Sequence, residues 1–343
     1  MPLALSGKYP NVITADQRGI DHACDILRSG GLVAFPTETV YGLGADATKS
    51  MACASIYEAK GRPSFNPLIV HFPNQEEVEK RVVFPDLAIK LSQNFWPGPM
   101  TLVLPRKQDC DIADLCSAGL NSLAVRVPGH PIAHELLKRS KLPLAAPSAN
   151  ASGKISPTTA EHVVNSLGNR VSCILEGSAC SVGLESTVID LTGDTPILLR
   201  PGSLTKAEIE AVIGPIELGQ SLMESKAEKE PPPASELKSP GLLKSHYAPS
   251  LPLRLNATSV RSDEALLAFG SSPLVGAAIT RNLSTSADLK EAAANLFAAL
   301  HDLDAQGEIT EGKQLKGIAA MPIPTEGLGL AINDRLKRAA APR

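Results

Sequence analysis

Apolar residues recur at helical spacing across residues 16–28, where Ile20, Ala23, Cys24 and Leu27 share one face and Gly30-Gly31 ends the run. Leu32, Val33, Ala34 and Phe35 then form an unbroken apolar stretch halted by Pro36, the pattern of a buried strand. Further short strands are predicted at 68–70, 102–104, 123–125, 172–175 and 187–191, with helices at 131–139 and 158–167. This alternation predicts an α/β fold. The pattern leaves the strand order open.

Residues 219–249 break the periodicity. They hold a charged patch and the consecutive Pro231, Pro232 and Pro233, which fix φ, remove donors and cannot join a core. A linker here divides the chain into a first domain at 12–215, a connecting segment at 216–249 and a smaller unit at 250–343. In that smaller unit Asp288 and Glu291 fit a capping box, and Leu289, Ala292, Ala293, Leu296, Phe297, Leu300 and Leu303 line one helix face. Strand-like residues 276–279 precede it, residues 317–321 follow it, and a last helix begins near Leu328. It is a second α/β unit with no catalytic grouping of its own. The Gly327-Leu-Gly-Leu stretch fits a plain strand-to-helix turn better than a nucleotide-binding one.

A length of 343 residues agrees with about two domains. Composition, at 43% hydrophobic and 20% charged, is that of a globular protein. The net charge is −3, and residues 1–202 carry 18 basic and 19 acidic side chains, against 15 and 17 in the remainder. Neither half has the excess of cations that non-specific nucleic-acid binding needs. No apolar run approaches the roughly 20 residues of a membrane span, and the first residues lack signal-peptide character. A cytoplasmic protein with no membrane partner is expected. Six scattered cysteines without a C-x-x-C pair point to small buried residues, not to a zinc site or a disulfide framework.

The chemistry lies in the polar, Gly- and Pro-rich segments that interrupt the first domain at 35–44, 60–67, 146–157 and 199–202. They bring cations (Lys60, Arg62, Arg126, Arg200) suited to phosphate or carboxylate oxygens, and hydroxyl or amide donors (Thr37, Thr39, Ser148, Asn150, Ser156). Glycines among them let backbone amides approach an anion. Other chemistries fit worse. The segment 179–183 falls one residue short of a G-x-S-x-G nucleophile elbow, and 153–156 lacks the opening glycine of a P-loop. His130 and His134 have metal-pair spacing without the H-E-x-x-H glutamate, and are expected to face solvent. No carboxylate cluster is dedicated to a metal, so Mg²⁺ would be held mainly by substrate phosphates.

Six ordered motifs now carry a resemblance: FPTETVYGL at 35–43, K-x-R-P at 60–63, PLIVH at 67–71, PSAN at 147–150 with S-P-T at 156–158, ESTVID at 185–190 and LRPG at 199–202. Together they resemble the YrdC-type threonylcarbamoyl-AMP synthases. Pro240-Gly241 with HYAP at 246–249, followed by a small α/β unit, is similar to the long, two-domain form, and the match spans roughly 12–343. The resemblance implies a first domain built as an open twisted sheet with helices, similar to a double-stranded RNA-binding fold, and a small Rossmann-like C-terminal domain.

It also implies a reaction. L-threonine, bicarbonate or CO₂, and ATP would give threonylcarbamoyl-adenylate and pyrophosphate. A downstream transferase would pass the threonylcarbamoyl group to tRNA, so that tRNA is met only indirectly. By resemblance Lys60, Arg62, Asn66, Ser122, Ser148, Asn150, Ser156 and Arg200 contact ATP, Lys60 and Arg62 being catalytic, and Tyr247 reaches over from the linker. Thr37, His71, Arg126, Ala146 (through its backbone) and Ser186 form the threonine pocket, with Arg126 toward the carboxylate. Residues 239–249 are expected to act as a lid. The linker departs from the family at Leu243 and Ser245, where Lys and Arg are usual, with Lys244 between them. An alternative of another class is a non-catalytic RNA-binding or ribosome-associated module on the same fold, against which the neutral charge and 3% aromatic content count. A third reading, the carbamoyl-adenylate chemistry of hydrogenase maturation proteins, would need zinc-binding and acylphosphatase-like regions that this chain lacks.

Overall fold

A computed structural model describes residues 5–63, 66–223, 245–306 and 314–342. Eleven strands of the first domain form one mixed sheet. In chain order they are Val12–Thr14 (β1), Val33–Phe35 (β2), Gly42–Asp46 (β3), Ile69–His71 (β4), Met100–Pro105 (β5) and Ser122–Arg126 (β6). Leu144–Ala145 (β7), Cys173–Glu176 (β8), Thr187–Asp190 (β9), Ile197–Arg200 (β10) and Glu217–Leu218 (β11) complete them. The spatial order is β1-β8-β2-β3-β7-β4-β6-β5-β9-β10-β11.

Period-two alternation gives this sheet two unlike faces. Val70, Leu102, Leu104, Leu123, Val125 and Ile189 point into the main core, under the helices Ser50–Lys60, Asp86–Phe95 and Ala160–Leu167. Their neighbours Ile69, Val103, Ala124 and Val188 form a small apolar floor on the other side. His71 lies two residues from Ile69 and Arg126 two from Ala124, so the pleat delivers both to that second face, and the parallel β4–β6 register pairs them. A register irregularity between Leu198 and Arg200 breaks the alternation, so Leu199 joins the floor and Arg200 faces the same side.

The second domain is a parallel sheet of Leu253–Arg254 (β12), Glu264–Ala268 (β13), Ile279–Asn282 (β14) and Gly317–Ala320 (β15), in the order β12-β15-β13-β14. The helices Leu289–Ala305 and Leu328–Ala340 cover it. Its core is shared: Val40, Ile155 and Leu184 of the first domain join Leu296, Phe297, Leu300 and Ile332 in one cluster. No helix among the described residues is long and apolar enough to cross a membrane.

Several expectations shift. Gly42–Asp46 is a strand although its glycines read as loop; a Cβ on Gly44 would lie 2.7 Å from the Phe35 ring, so the glycine is what lets β3 pair across that ring. The strand expected at 276–279 runs instead over Ile279–Asn282. Asp288 caps its helix by accepting from the Glu291 amide at 2.7 Å, but the Glu291 carboxylate bonds Ser284 instead of closing the box. The sheet continues past residue 215 into β11, and the helix Gln220–Met223 follows. His130 and His134 are half-buried, not fully turned to solvent: His130 Nδ1 accepts from the Ile132 amide at 3.2 Å, and His134 Nε2 meets Pro73 O at 3.0 Å. Pro231–233, Pro240, Gly241, Leu243 and Lys244 lie outside the described residues.

The domains approach closely at Gly183, which has φ +71° and whose Cβ would fall 2.4 Å from the Ala294 carbonyl oxygen. Gly183→Ala combines left-handed backbone strain with an overpacked contact, so stability should drop by about 1–3 kcal/mol. Urea unfolding followed by circular dichroism checks this, and an unchanged midpoint would show that the domains do not approach so closely.

Candidate active site

On the sheet face that carries Ile69, polar loops from several strand ends wall a pocket. Thr37, Thr39, Val40, Gly42, Ile69, His71, Arg126 and Ala146 line it. Arg62, Pro147, Ser148, Glu185, Ser186, Arg200, His246 and Tyr247 complete the lining.

At one end Arg126 is locked by three donations: Nε to Gly98 O at 3.2 Å, Nη1 to Thr39 Oγ1 at 3.0 Å and Nη2 to Glu38 Oε1 at 2.6 Å. Thr37 Oγ1 donates to Val40 O at 2.6 Å and receives the Val40 amide at 3.2 Å, closing a tight turn beside the Thr39 hydroxyl at 2.7 Å. Burial would raise the Glu38 carboxyl, but the charge and hydrogen bond of Arg126 hold it below its ordinary range. Burial and the nearby Arg126 push the His71 imidazole down to about 3, so it is neutral, with a buried Nδ1 that has no hydrogen bond among the described residues. This end offers one fixed cation, hydroxyls and a neutral imidazole, a set matched to a small zwitterion bearing a hydroxyl.

The other end gathers cations on backbone carbonyls. Lys60 closes the helix Ser50–Lys60, where Gly61 takes the left-handed C-cap (φ 60°), and its Nζ donates to the carbonyls of Ser148 and Asn150. Arg62 donates from Nε to Asn66 O at 3.3 Å and from Nη2 to Pro67 O at 3.1 Å. Arg200 donates to Ser186 O from Nε at 3.1 Å and from Nη2 at 3.0 Å, and reaches the Ser186 hydroxyl at 3.0 Å. Neither Lys60 nor Arg62 has an ion pair among the described residues. Burial lowers all three: Lys60 well below its ordinary value, with Arg62 and Arg170 adding to the effect, Arg62 to about 10, and Arg200. Buried cations held by neutral carbonyls form an anion site.

His246 and Tyr247 complete the lining as buried residues. Tyr247 is 1% exposed with φ +64°, a left-handed backbone unusual for a bulky residue, and its hydroxyl has no hydrogen bond among the described residues. Its ring packs against Phe297 at 5.4 Å and His246 at 4.0 Å. The flanking chain is pinned by Ala248 N to Gly153 O at 2.8 Å and His246 N to Arg338 O at 3.2 Å. Burial, then the charges of Arg62, Lys60, Arg338 and Arg200, keep His246 neutral, and burial lifts the Tyr247 phenol to about 12.

Ten of the residues singled out in the sequence therefore line one pocket: Arg62, Ser148, Arg200, Tyr247, Thr37, Thr39, His71, Arg126, Ala146 and Ser186. The other five stand behind it. Lys60 and Asn150 hold the 148–154 loop, where Asn150 Nδ2 donates to Lys154 O at 2.8 Å. The Asn66 carbonyl accepts Arg62 and the Tyr57 hydroxyl, while its side-chain amide is buried without a partner among the described residues. Ser156 Oγ donates to Glu185 Oε1 at 2.5 Å. Ser122 shares the pleat face of Ala124 and Arg126, and register places it level with residue 67. The sequence singles out neither Glu38 nor Glu185, although each lies inside a motif, and His246 stands out only as the neighbour of Tyr247. Arg335 was also missed. An arginine on the helix face of Ile332, Leu336 and Ala339 was its one signal.

Residues 25–202 match the Sua5–YciO–YrdC family, described as "Telomere recombination". Residues 204–341 match a family described as "Threonylcarbamoyl-AMP synthase, C-terminal domain". The threonylcarbamoyl-AMP synthase of Bacillus subtilis is 42% identical over 339 residues, covering 94% of this chain and 93% of the relative. That of Pyrococcus abyssi is 40% identical over 334 residues, with 94% of each chain covered. The crystal structure of P. abyssi Sua5 complexed with L-threonine superimposes with a TM-score of 0.83 at 38% identity, over 96% of both chains.

The buried His71 makes the fold acid-sensitive. It stays neutral in the folded chain down to about 3 and titrates near 6.5 when unfolded. Between those values the unfolded chain binds the extra proton, so stability is lost as pH falls, by up to about 1.4 kcal/mol per pH unit from this group. Urea midpoints taken from pH 7 to pH 4 should therefore fall less steeply in His71→Asn than in the unmodified chain. Parallel declines would place His71 in contact with water.

Proposed function

The chain belongs to the Sua5/YrdC family of threonylcarbamoyl-AMP synthases, and we propose on that premise how the pocket divides its work. The enzyme makes threonylcarbamoyl-AMP from L-threonine, bicarbonate or CO₂, and ATP, releasing pyrophosphate. The Arg126 end takes threonine, with the guanidinium on the carboxylate and the Thr37, His71 and Ser186 region near the hydroxyl. The Lys60, Arg62 and Arg200 end takes the triphosphate, with Asn66, Ser122, Ser148, Asn150 and Ser156 around the nucleotide and Tyr247 closing over it. The observation that carries this division is that Lys60, Arg62 and Arg200 are buried on backbone carbonyls, whereas Arg126 is held by the Glu38 carboxylate.

The chemistry needs no covalent nucleophile from the protein. Threonine's amine forms a bond to CO₂ and gives up a proton, yielding a carbamate. A carbamate oxygen then attacks the α-phosphorus, and the bond to the β-phosphate oxygen breaks. Negative charge builds on the departing pyrophosphate, beside fixed positive charge that need not reorganise. His246 and Tyr247 exclude water that would hydrolyse the adenylate.

Mg²⁺ enters with ATP, as the ion of its phosphates. Among the described residues no group of three or more His, Cys, Asp or Glu is placed to hold a metal, and the lining carboxylate Glu185 is already engaged by Arg335 and Ser156. The product passes to a tRNA threonylcarbamoyl transferase in the cytoplasm, so tRNA need not touch this chain.

Pyrophosphate release from ATP should require both threonine and bicarbonate. Arg62→Ala should cost about 2–4 kcal/mol, roughly 30- to 1,000-fold in rate, while the protein stays folded. Full turnover in that variant would refute the phosphate assignment. Serine should serve poorly and valine almost not at all, because a site built around a hydroxyl strands its own polar groups without one. Equal rates with threonine and valine would contradict the placement of the hydroxyl.

A further inference from the structure

We propose that Arg335, on the last helix of the second domain, is a positioning residue for this reaction, acting through Glu185 on Ser156. Its side chain is fully buried. Nε donates to Glu185 Oε2 at 3.0 Å, and the other carboxylate oxygen, Oε1, accepts the Ser156 hydroxyl at 2.5 Å. Nη1 donates to Pro201 O at 2.5 Å and to Asp334 Oδ2 at 3.0 Å. The contacts bracket the pocket: Glu185 precedes Ser186, Pro201 follows Arg200, and Arg200 bonds Ser186 O. One guanidinium from the second domain thus braces both strands of that contact. Its Cζ also lies 5.6 Å from the centre of the Tyr247 ring.

Gluing the domains does not by itself call for this arrangement. Apolar packing around Leu296, Phe297 and Ile332 already joins them, and a buried ion pair adds little net stability over apolar residues of similar size. What an arginine supplies and a methionine cannot is a fixed fork that orients a carboxylate. Glu185, so oriented, holds Ser156 and presents its own backbone to the pocket. Docking of the second domain thereby sets the geometry at the nucleotide end.

The proposal rests on assigning that end to ATP, and full-length variants separate the two ideas. Pyrophosphate release is measured with ATP varied at saturating threonine and bicarbonate, threonine binding by calorimetry without ATP, and the thermal midpoint as a check of folding. Arg335→Gln and Glu185→Gln should each lower kcat at least tenfold, with threonine affinity held within about threefold. The double variant should be no slower than the slower single one, because both cut the same relay. Full turnover in Arg335→Gln, losses that multiply in the double variant, or an equal weakening of threonine binding overturns the relay. Should Arg335→Gln not fold, Arg335→Lys takes its place, keeping the charge without the fork. There, reduced kcat with intact threonine binding supports the relay, and unaltered kcat overturns it. Failure of both to fold also overturns it, making Arg335 a stability element. A full-length chain that releases no pyrophosphate at all refutes the assigned reaction instead, whatever Arg335 does.

Discussion

Burying Lys60, Arg62 and Arg200 close together is the constraint on which the rest of this site depends. Each cation leaves water at a cost that carbonyl oxygens offset only in part, and like charges repel more strongly as the surroundings become less polar. The fold meets this with geometry: the carbonyls of Ser148, Asn150, Asn66, Pro67 and Ser186 all turn toward the cations. The neighbouring His246 stays neutral for the same reason, since another positive charge there would be unsupported. A polyanion that enters supplies the missing charge, so ground-state strain and catalytic potential have one origin.

Positive charge works hardest when water is excluded, and the segment leading into the second domain adds two buried rings to the pocket's lining. His246 and Tyr247 line the pocket, while Phe297 and Arg335 of the second domain pack against the Tyr247 ring. The Arg335–Glu185 pair crosses 150 residues of chain, so the site is complete only when both domains are folded and docked. Gly183 marks how tight that docking is, with no room for even a methyl group against Ala294.

How far the sequence reveals this depends on the range of each interaction. Alternation at 69–71 and 122–126 is local, and it places His71 and Arg126 on the face where they are found. Gly42–Asp46 was hidden because glycines weaken strand patterning, and their purpose, room for the Phe35 ring, exists only after β2 and β3 pair. Lys60 was legible as a cation in the site, but not its aim: a left-handed Gly61 turns the chain, and the ammonium meets carbonyls from a loop some ninety residues away. Arg335 was least legible. Its partners lie in another domain, and no local pattern names Glu185 or Pro201 for it.

On this reading, the second domain and the segment leading into it complete the chemistry of the first. A single-turnover assay tests this most directly, following threonylcarbamoyl-adenylate formed by the full chain and by a chain ending at Met223. The shorter chain keeps every strand of the large sheet and its own apolar cores, so it should fold and bind ATP. It should form the adenylate at least tenfold more slowly. Equal rates from the two chains would contradict that reading.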